Sequence, residues 1–271
     1  MSERPAPTEQ ALLDHASPDQ GGPVVEATAV SKEFPRGNVL AIDSMSFAMG
    51  EHTFTSVVGP SGCGKSTILR LVAGLIPISS GDLRVRGSAV SGPRADTSMM
   101  FQRPVLLLWK TAMDNVLLPE KLQGRVTAAT RRRAGEIFEL VGLAGFENAY
   151  PQHLSGGMQQ RAALARVLMT GADLLLMDEP FASLDEFTRE RLNLELLRIQ
   201  AEFRASVMFV THNITEAVFL ADRVLVMTPR PGRLAGIVEV PFDRPRRIDL
   251  LKTPEFNELA FQVRAMLGEH V

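Results

Sequence analysis

The chain has 271 residues, 45% of them apolar, with 31 acidic against 29 basic side chains and one cysteine, Cys63. That length suits one large domain or two closely joined ones with a sizeable core, while the near balance of charge excludes a global nucleic-acid footprint and gives no reason to expect a nucleic-acid partner. A lone cysteine excludes an intramolecular disulfide and suits a reducing compartment, and no apolar run approaches the roughly 18 residues of a spanning helix, so any membrane connection must come through a partner.

Residues 1–23 are rich in Pro, Gly, Ala and charge and have no periodicity, which predicts a mobile tail. With Glu3, Asp14 and no sustained apolar stretch, they do not read as a secretory signal. From Val24 to about Val85 come strand-like runs: VVEATAV, LAIDSMSFAM, TFTSVV and DLRV. A helix interrupts them, with Ile68, Leu71, Val72 and Leu75 on one face. From about Phe101 to Gly171 the texture turns helical. TAATRRRAGEIFELVGL and SGGMQQRAALARVLM predict two helices, the second ending at Gly171 as a C-cap. The charge run Arg131-Arg132-Arg133 reads as a solvated helix face, and the same reading covers Arg244, Arg246 and Arg247. Strand runs return at LLLM (174–177), SVMFV (206–210) and RVLVM (223–227), the first two separated by a long helical stretch. At the end, Phe256, Leu259, Val263, Met266 and Leu267 fall at helical spacing behind Thr253 as N-cap and Pro254. The alternation predicts an α/β fold: a mostly parallel sheet covered by helices, with the helical middle block inserted between sheet strands.

Two stretches carry chemistry. Residues 59–67, GPSGCGKST, fit G-x-x-x-x-G-K-[ST] between a strand and a helix. Gly59, Ser61, Gly62, Cys63 and Gly64 let the backbone wrap a phosphate and point N–H groups inward, and the helix N-terminus before Thr67 adds its positive end. Lys65 is expected to reach the β- and γ-phosphates, and the Ser66 hydroxyl to bind Mg²⁺. Cys63 occupies a free position of the motif, and a bulky group on its thiol is expected to block nucleotide binding. The run LLLMDEP ends an apolar strand in Asp178 and Glu179, where parallel sheets bind ligands. Asp178 is expected to hold Mg²⁺ opposite Ser66, and Glu179, pointing elsewhere, to polarise the attacking water. A second loop suited to phosphate, HLSGGMQQR at 153–161, stands about ninety residues after the first, although one nucleotide needs one cradle.

With GPSGCGKST, LSGGMQQR and LLLMDEP in this order, the chain resembles the ATP-binding subunit of an ABC transporter over most of residues 24–240. The resemblance implies a P-loop NTPase core with an N-terminal antiparallel β part, a cassette over residues 24–245 with its helical subdomain at about 103–170, and a C-terminal helical extension over 246–271. ATP and Mg²⁺ are its implied ligands. Gln102 in MMFQRP resembles the glutamine that contacts Mg²⁺ and senses the γ-phosphate, and His212 in FVTHN resembles the switch histidine there. Ser183, Leu184 and Asp185 resemble the D-loop, and Phe34 in SKEFPRG sits where the family places an aromatic, more commonly Tyr, on the adenine. The second cradle is then for another chain's nucleotide. Ser155, Gly156 and Gly157 are implied to cap the γ-phosphate held by a second ATPase subunit, in a head-to-tail homodimer or a pair with a paralogue.

The implied partners include transmembrane permease subunits, received by the apolar segment PVLLLWKTAMDNVLLP with its single tryptophan, Trp109, and indirectly a substrate-binding protein. The implied place is peripheral, on the cytoplasmic face of the inner membrane. Within the family, LLLWKTAMDNVLLP, EPFASLDEFTRERLNLELLRI and ADRVLVMTPRPGRL are similar to importers of the nitrate/sulfonate/taurine group, which usually shows LLPW and ALD where this chain has LLLW and SLD. Pyrimidine-precursor importers share much of this texture. A DNA-repair or chromosome-organising relative would separate the motif halves by a long coiled coil, and a translation factor would carry two cassettes and basic patches. A binding module with a dead site would lack catalytic positions that are filled here.

Overall fold

The structure, a computed structural model, describes residues 22–35, 37–182 and 184–268. Apart from Gly22 and Pro23, the expected mobile tail lies outside the described residues, as does Ser183. The described strands form two sheets. An antiparallel sheet runs in the order β2 (Val39–Met49), β1 (Val25–Phe34), β4 (Ser80–Val85) and β5 (Ser88–Ala89). The second sheet runs β10 (Leu234–Glu239), β9 (Arg223–Met227), β3 (Phe54–Val58), β8 (Ser206–Val210), β7 (Leu174–Asp178) and β6 (Thr97–Met100). Its neighbours pair in parallel except for the β9–β10 hairpin.

FTSVV, LLLMD and SVMFV are buried along their whole length, as expected of central strands covered on both faces. Successive residues of β7 face opposite cores. Leu174 and Leu176 join Val57, Met208 and the antiparallel sheet, together with helix α1 (Lys65–Val72). Leu175 and Met177 join Phe54, Phe209 and most of the remaining helices.

The remaining helices are α2 (Ala112–Val116), α3 (Leu118–Leu122), α4 (Ala128–Leu140) and α5 (Gly156–Met169), all between β6 and β7, then α6 (Glu186–Phe203), α7 (Ile214–Leu220) and α8 (Pro254–Gly268). Gly171 adopts φ +65°, one residue beyond the Thr170 cap of α5. At the other end of the chain, α8 packs on the core through the buried Phe256 and Val263, with Thr253 capping its first turn. The sequence pattern missed the two-residue β5 as well as β6 and β10. TSMM is four residues long and opens on two hydroxyl side chains, so it lacks an apolar run, while LAGIVE is interrupted by a glycine.

The solvated reading of Arg246 is corrected. Its side chain is buried, and Nη1 donates to the carbonyls of Phe219 and Ala221 at 2.8 and 2.7 Å. Burial lowers its pKa to about 10. Arg244 pairs with Asp222 at 2.8 Å, whereas Arg131 and Arg132 are exposed, as expected of a solvated face.

Candidate functional site

Because β3, β6, β7 and β8 are parallel, their carboxyl ends meet on one side of the sheet, and the loops leaving them converge there. The loop after β3 enters α1 through Gly64, at φ +108°. A Cβ on Gly64 would lie 2.6 Å from Ile42 Cδ1 and 3.0 Å from the Ala41 carbonyl, so both backbone angle and space demand glycine. Lys65 folds back over this loop, its buried Nζ donating to the carbonyls of Gly59 and Pro60 at 2.7 and 3.0 Å. The Ser66 hydroxyl donates to Asp178 Oδ1 at 2.8 Å, which places two of the three expected Mg²⁺ ligands together, while the third, Gln102, bonds Glu179 instead. Burial pushes the Asp178 carboxyl above the usual carboxylate range, opposed by that hydrogen bond.

Glu179 leaves β7 with φ +45°, a left-handed conformation that costs a non-glycine residue about 1–3 kcal/mol. Its N–H is held by the Val210 carbonyl at 2.9 Å. This sharp turn sends the Asp178 and Glu179 carboxylates in different directions. Glu179 Oε2 accepts from Gln102 Nε2 at 3.4 Å and meets His212 Nδ1 at 3.1 Å. One carboxylate thus gathers the loops after β6, β7 and β8. The cavity beside it has a volume of about 330 Å³, and Phe34, Ser61, Gly62, Gly64, Ser66 and Thr67 are in its wall.

Cys63 departs from expectation. Its side chain is buried in the core behind the loop, burial pushes the thiol pKa up, and only its backbone belongs to the cradle. The expected block by thiol modification therefore has no accessible thiol to act on. Ser155, Gly156, Gly157 and Asp185 stand outside the cavity wall. Ser155 and Asp185 are N-caps of α5 and α6, accepting from the N–H groups of Met158 and Thr188. The Thr188 N–H holds the Asp185 carboxyl below its usual range. Exposed Ser155 and Gly156 leave the α5 N-terminus facing outward.

Several residues of this site were not legible in the sequence. Arg230, in the turn between β9 and β10, lines the cavity. Gln160 is buried and donates from Nε2 to the Gln102 carbonyl at 2.9 Å, while Arg166 donates to the Pro104 and Val105 carbonyls at 2.9 and 2.8 Å. Both lie on α5, so this helix grips the segment after β6 at two points. Asn115 braces the next stretch, bonding the Leu107 N–H at 2.7 Å and the Lys110 and Thr111 carbonyls. That bracing displays Leu108 and Trp109 with 65% and 71% of their surface exposed. Only the flanking turn residues of TPRPGRL hinted at Arg230; polar residues on a helix gave no such sign for Gln160 or Arg166.

Behind His212, the Thr211 hydroxyl donates to Glu216 Oε2 at 2.5 Å, and Asn213 caps α7 by accepting from the Glu216 N–H at 3.0 Å. Burial pushes the Glu216 carboxyl up, opposed by Thr211 and by the charges of Arg189 and His212. Glu186 and Glu190 line the same small cavity as Glu216. A raised carboxyl in the folded state means that the unfolded chain loses this proton first as pH rises. Stability should therefore fall as pH climbs from the usual carboxylate range towards the raised value. Urea unfolding between about pH 4 and 8 checks this: wild type should decline more steeply than Glu216→Gln, whose remaining decline comes from Asp178, with both within about 1 kcal/mol at the acid end.

The matches to known proteins agree with this geometry. The family model described as ABC transporter matches residues 42–182. An uncharacterized ABC transporter ATP-binding protein of Methanocaldococcus jannaschii, MJ0412, is 46% identical, over 79% of this chain and 80% of its own length. A taurine import ATP-binding protein of Rhizobium johnstonii is 44% identical over 84% of this chain and 89% of its own, and a nitrate import ATP-binding protein of Synechococcus elongatus is 42% identical over 85% and 86%. Among solved structures, the dimeric bacterial ABC transporter cassette MJ0796 matches with a TM-score of 0.73 at 28% identity, covering 81% of this chain and all of that one. A second structure of MJ0796, a dimeric post-hydrolysis state bound to ADP and Pi, matches with a TM-score of 0.72. With a matched model spanning both the phosphate loop and the acidic strand end, and relatives aligned over most of their length, the chain belongs to the ABC transporter family.

Proposed function

We propose that the chain is the ATP-hydrolysing subunit of an importer for a small anion or organic solute, of the nitrate, sulfonate or taurine kind. It works as a pair of cassettes, peripheral to the cytoplasmic face of the membrane, beneath separate permease subunits supplied by a substrate-binding protein. One observation carries this reading: Lys65, Ser66, Asp178, Glu179, Gln102 and His212 meet at one mouth of the sheet, while the exposed N-terminus of α5 stands outside it. No helix among the described residues is long and apolar enough to cross a membrane, which suits an activity exerted through a permease. The braced loop presenting Leu108 and Trp109 suits such a docked partner.

Ser66 Oγ and Asp178 Oδ1 are hard oxygen donors 2.8 Å apart, a donor set that fits Mg²⁺. When bound there, Mg²⁺ would neutralise charge on the phosphates. The phosphate loop orients the triphosphate with its N–H groups and Lys65. Glu179 accepts a proton from the attacking water, and Gln102 and His212 hold that carboxylate in place. Ser155 and the N–H groups at the start of α5 offer a second cassette's γ-phosphate its missing donors.

Nucleotide titration of the purified chain, paired with taurine and nitrate uptake in cells dependent on it, tests the assignment. Lys65→Ala should lose ATP binding and uptake together while still melting cooperatively, at a somewhat lower temperature because the Gly59 and Pro60 carbonyls lose their donor. ATP binding by Lys65→Ala at wild-type strength would refute the assignment of the cavity.

A further inference from the structure

We propose that Arg230 is a second cation for the phosphate chain of the nucleotide, delivered by the β9–β10 turn rather than by the phosphate loop. The proposal rests on the nucleotide reading of the cavity given above. Lys65 and Arg230 are the basic side chains in the wall of that cavity. Lys65 is buried and engaged with two carbonyls of its own loop. Arg230 is exposed, and its Nε donates to the Gly62 carbonyl at 3.2 Å. Among the described residues no carboxylate pairs with it, so both terminal nitrogens of its fork remain available. Nη2 lies 3.8 Å from where a Cβ on Gly62 would stand, against the loop that cradles phosphate.

The turn that carries Arg230 is tied to β2 and lies against the phosphate loop. Gly232 donates to the Ala41 carbonyl at 3.0 Å, and its own carbonyl accepts from the Asp43 N–H at 3.0 Å. A Cβ on Gly232 would sit 2.1 Å from the Cys63 carbonyl, so the two loops touch backbone to backbone. Within the turn, the Thr228 hydroxyl shares its one proton between the Pro229 and Pro231 carbonyls at 3.1 and 3.3 Å and accepts from the Arg233 N–H at 3.0 Å. The Arg233 guanidinium pairs with Asp43 on β2, Nε at 2.9 Å, which ties the far side of the turn down. A guanidinium on so fixed a base loses little freedom on meeting a ligand. Its planar fork matches phosphate oxygens in a way that an ammonium does not. An ordinary solvated arginine needs neither an anchored turn nor a hydrogen bond to the phosphate loop.

The test titrates the full purified chain with ATP, and with pyrophosphate as competitor, at low and high salt. Arg230→Ala should bind both ligands about tenfold more weakly than wild type, with a shallower salt dependence. Arg230→Lys should recover part of the loss, and both variants should melt as wild type does because Arg230 makes one exposed hydrogen bond. ATP affinity of Arg230→Ala within about twofold of wild type overturns the proposal and leaves the nucleotide site standing. A loss for ATP without one for pyrophosphate overturns it too, since the side chain would then serve the base. Failure of wild type to bind ATP would instead sink the underlying nucleotide reading.

Discussion

Glu179→Gln is expected to bind ATP like wild type and to lose about 10²–10⁴ in turnover, roughly 3–5 kcal/mol of barrier. Glutamine has the shape of glutamate, and the backbone that aims this side chain is fixed independently of it. The left-handed turn at position 179 and the N–H bond to Val210 belong to the strand end, whatever side chain follows. The amide still offers an oxygen to Gln102 and His212, so the cluster keeps its geometry while losing the basicity that takes up a proton. Because binding energy from Lys65 and the loop N–H groups is untouched, ATP-bound dimer should accumulate. Steady-state turnover, read beside size-exclusion chromatography with ATP, checks both halves. Turnover within about threefold of wild type would remove Glu179 from the role of base.

Gly156→Val is expected to abolish cooperative turnover while leaving the folded chain and its own ATP binding intact. A Cβ on Gly156 meets nothing within 4 Å in its own chain, and its backbone φ is not left-handed. Gly157 would be a poorer probe, because a Cβ there lies 3.2 Å from Leu184 Cδ2 and would mix a local clash with any intermolecular one. Valine in place of exposed glycine at the first helical position carries no backbone penalty, and melting should be unchanged or slightly raised. What the added methyls obstruct is the approach of a second cassette's phosphate to the N–H groups of α5. Nucleotide titration, ATP-dependent dimerisation and turnover measured on one preparation separate these effects. Full cooperative turnover would end the reading of this loop as half of a shared site.

Much of this arrangement was legible in the residues, for a physical reason. Central strands bury both faces and so appear as unbroken apolar runs, and LLLM, SVMFV and RVLVM lie in β7, β8 and β9. Phosphate chemistry requires glycines and a lysine at fixed spacing, and carboxylates at a strand end, which kept positions 59–67 and 178–179 visible. The edge strand β6 was not, since four residues with one exposed flank need no apolar run. Arg246 looked like solvated charge because sequence records the charge and not the carbonyls collected around it. A bulky group on Cys63 was expected to obstruct the phosphates because spacing places a residue on a loop without saying which way its side chain turns. Gln160, Arg166 and Arg230 act on segments 58, 61 and 168 positions away in the chain, and no local pattern marks such contacts.

The double grip of α5 on the segment after β6 has a mechanical consequence. Gln160 fixes the backbone of Gln102, and Arg166 fixes Pro104 and Val105, so this stretch cannot swing unless the helix swings with it. The same rigid rod ends at Ser155 and Gly156. In the proposed pair beneath a permease, a torque applied at Leu108 and Trp109 would turn two levers at once, one carrying the chain's own glutamine and the other the helix end proposed to meet the neighbouring cassette's phosphate. Linkage makes the traffic two-way. Whatever factor a docked permease contributes to closure of the nucleotide pair, closure must return to the grip on that permease.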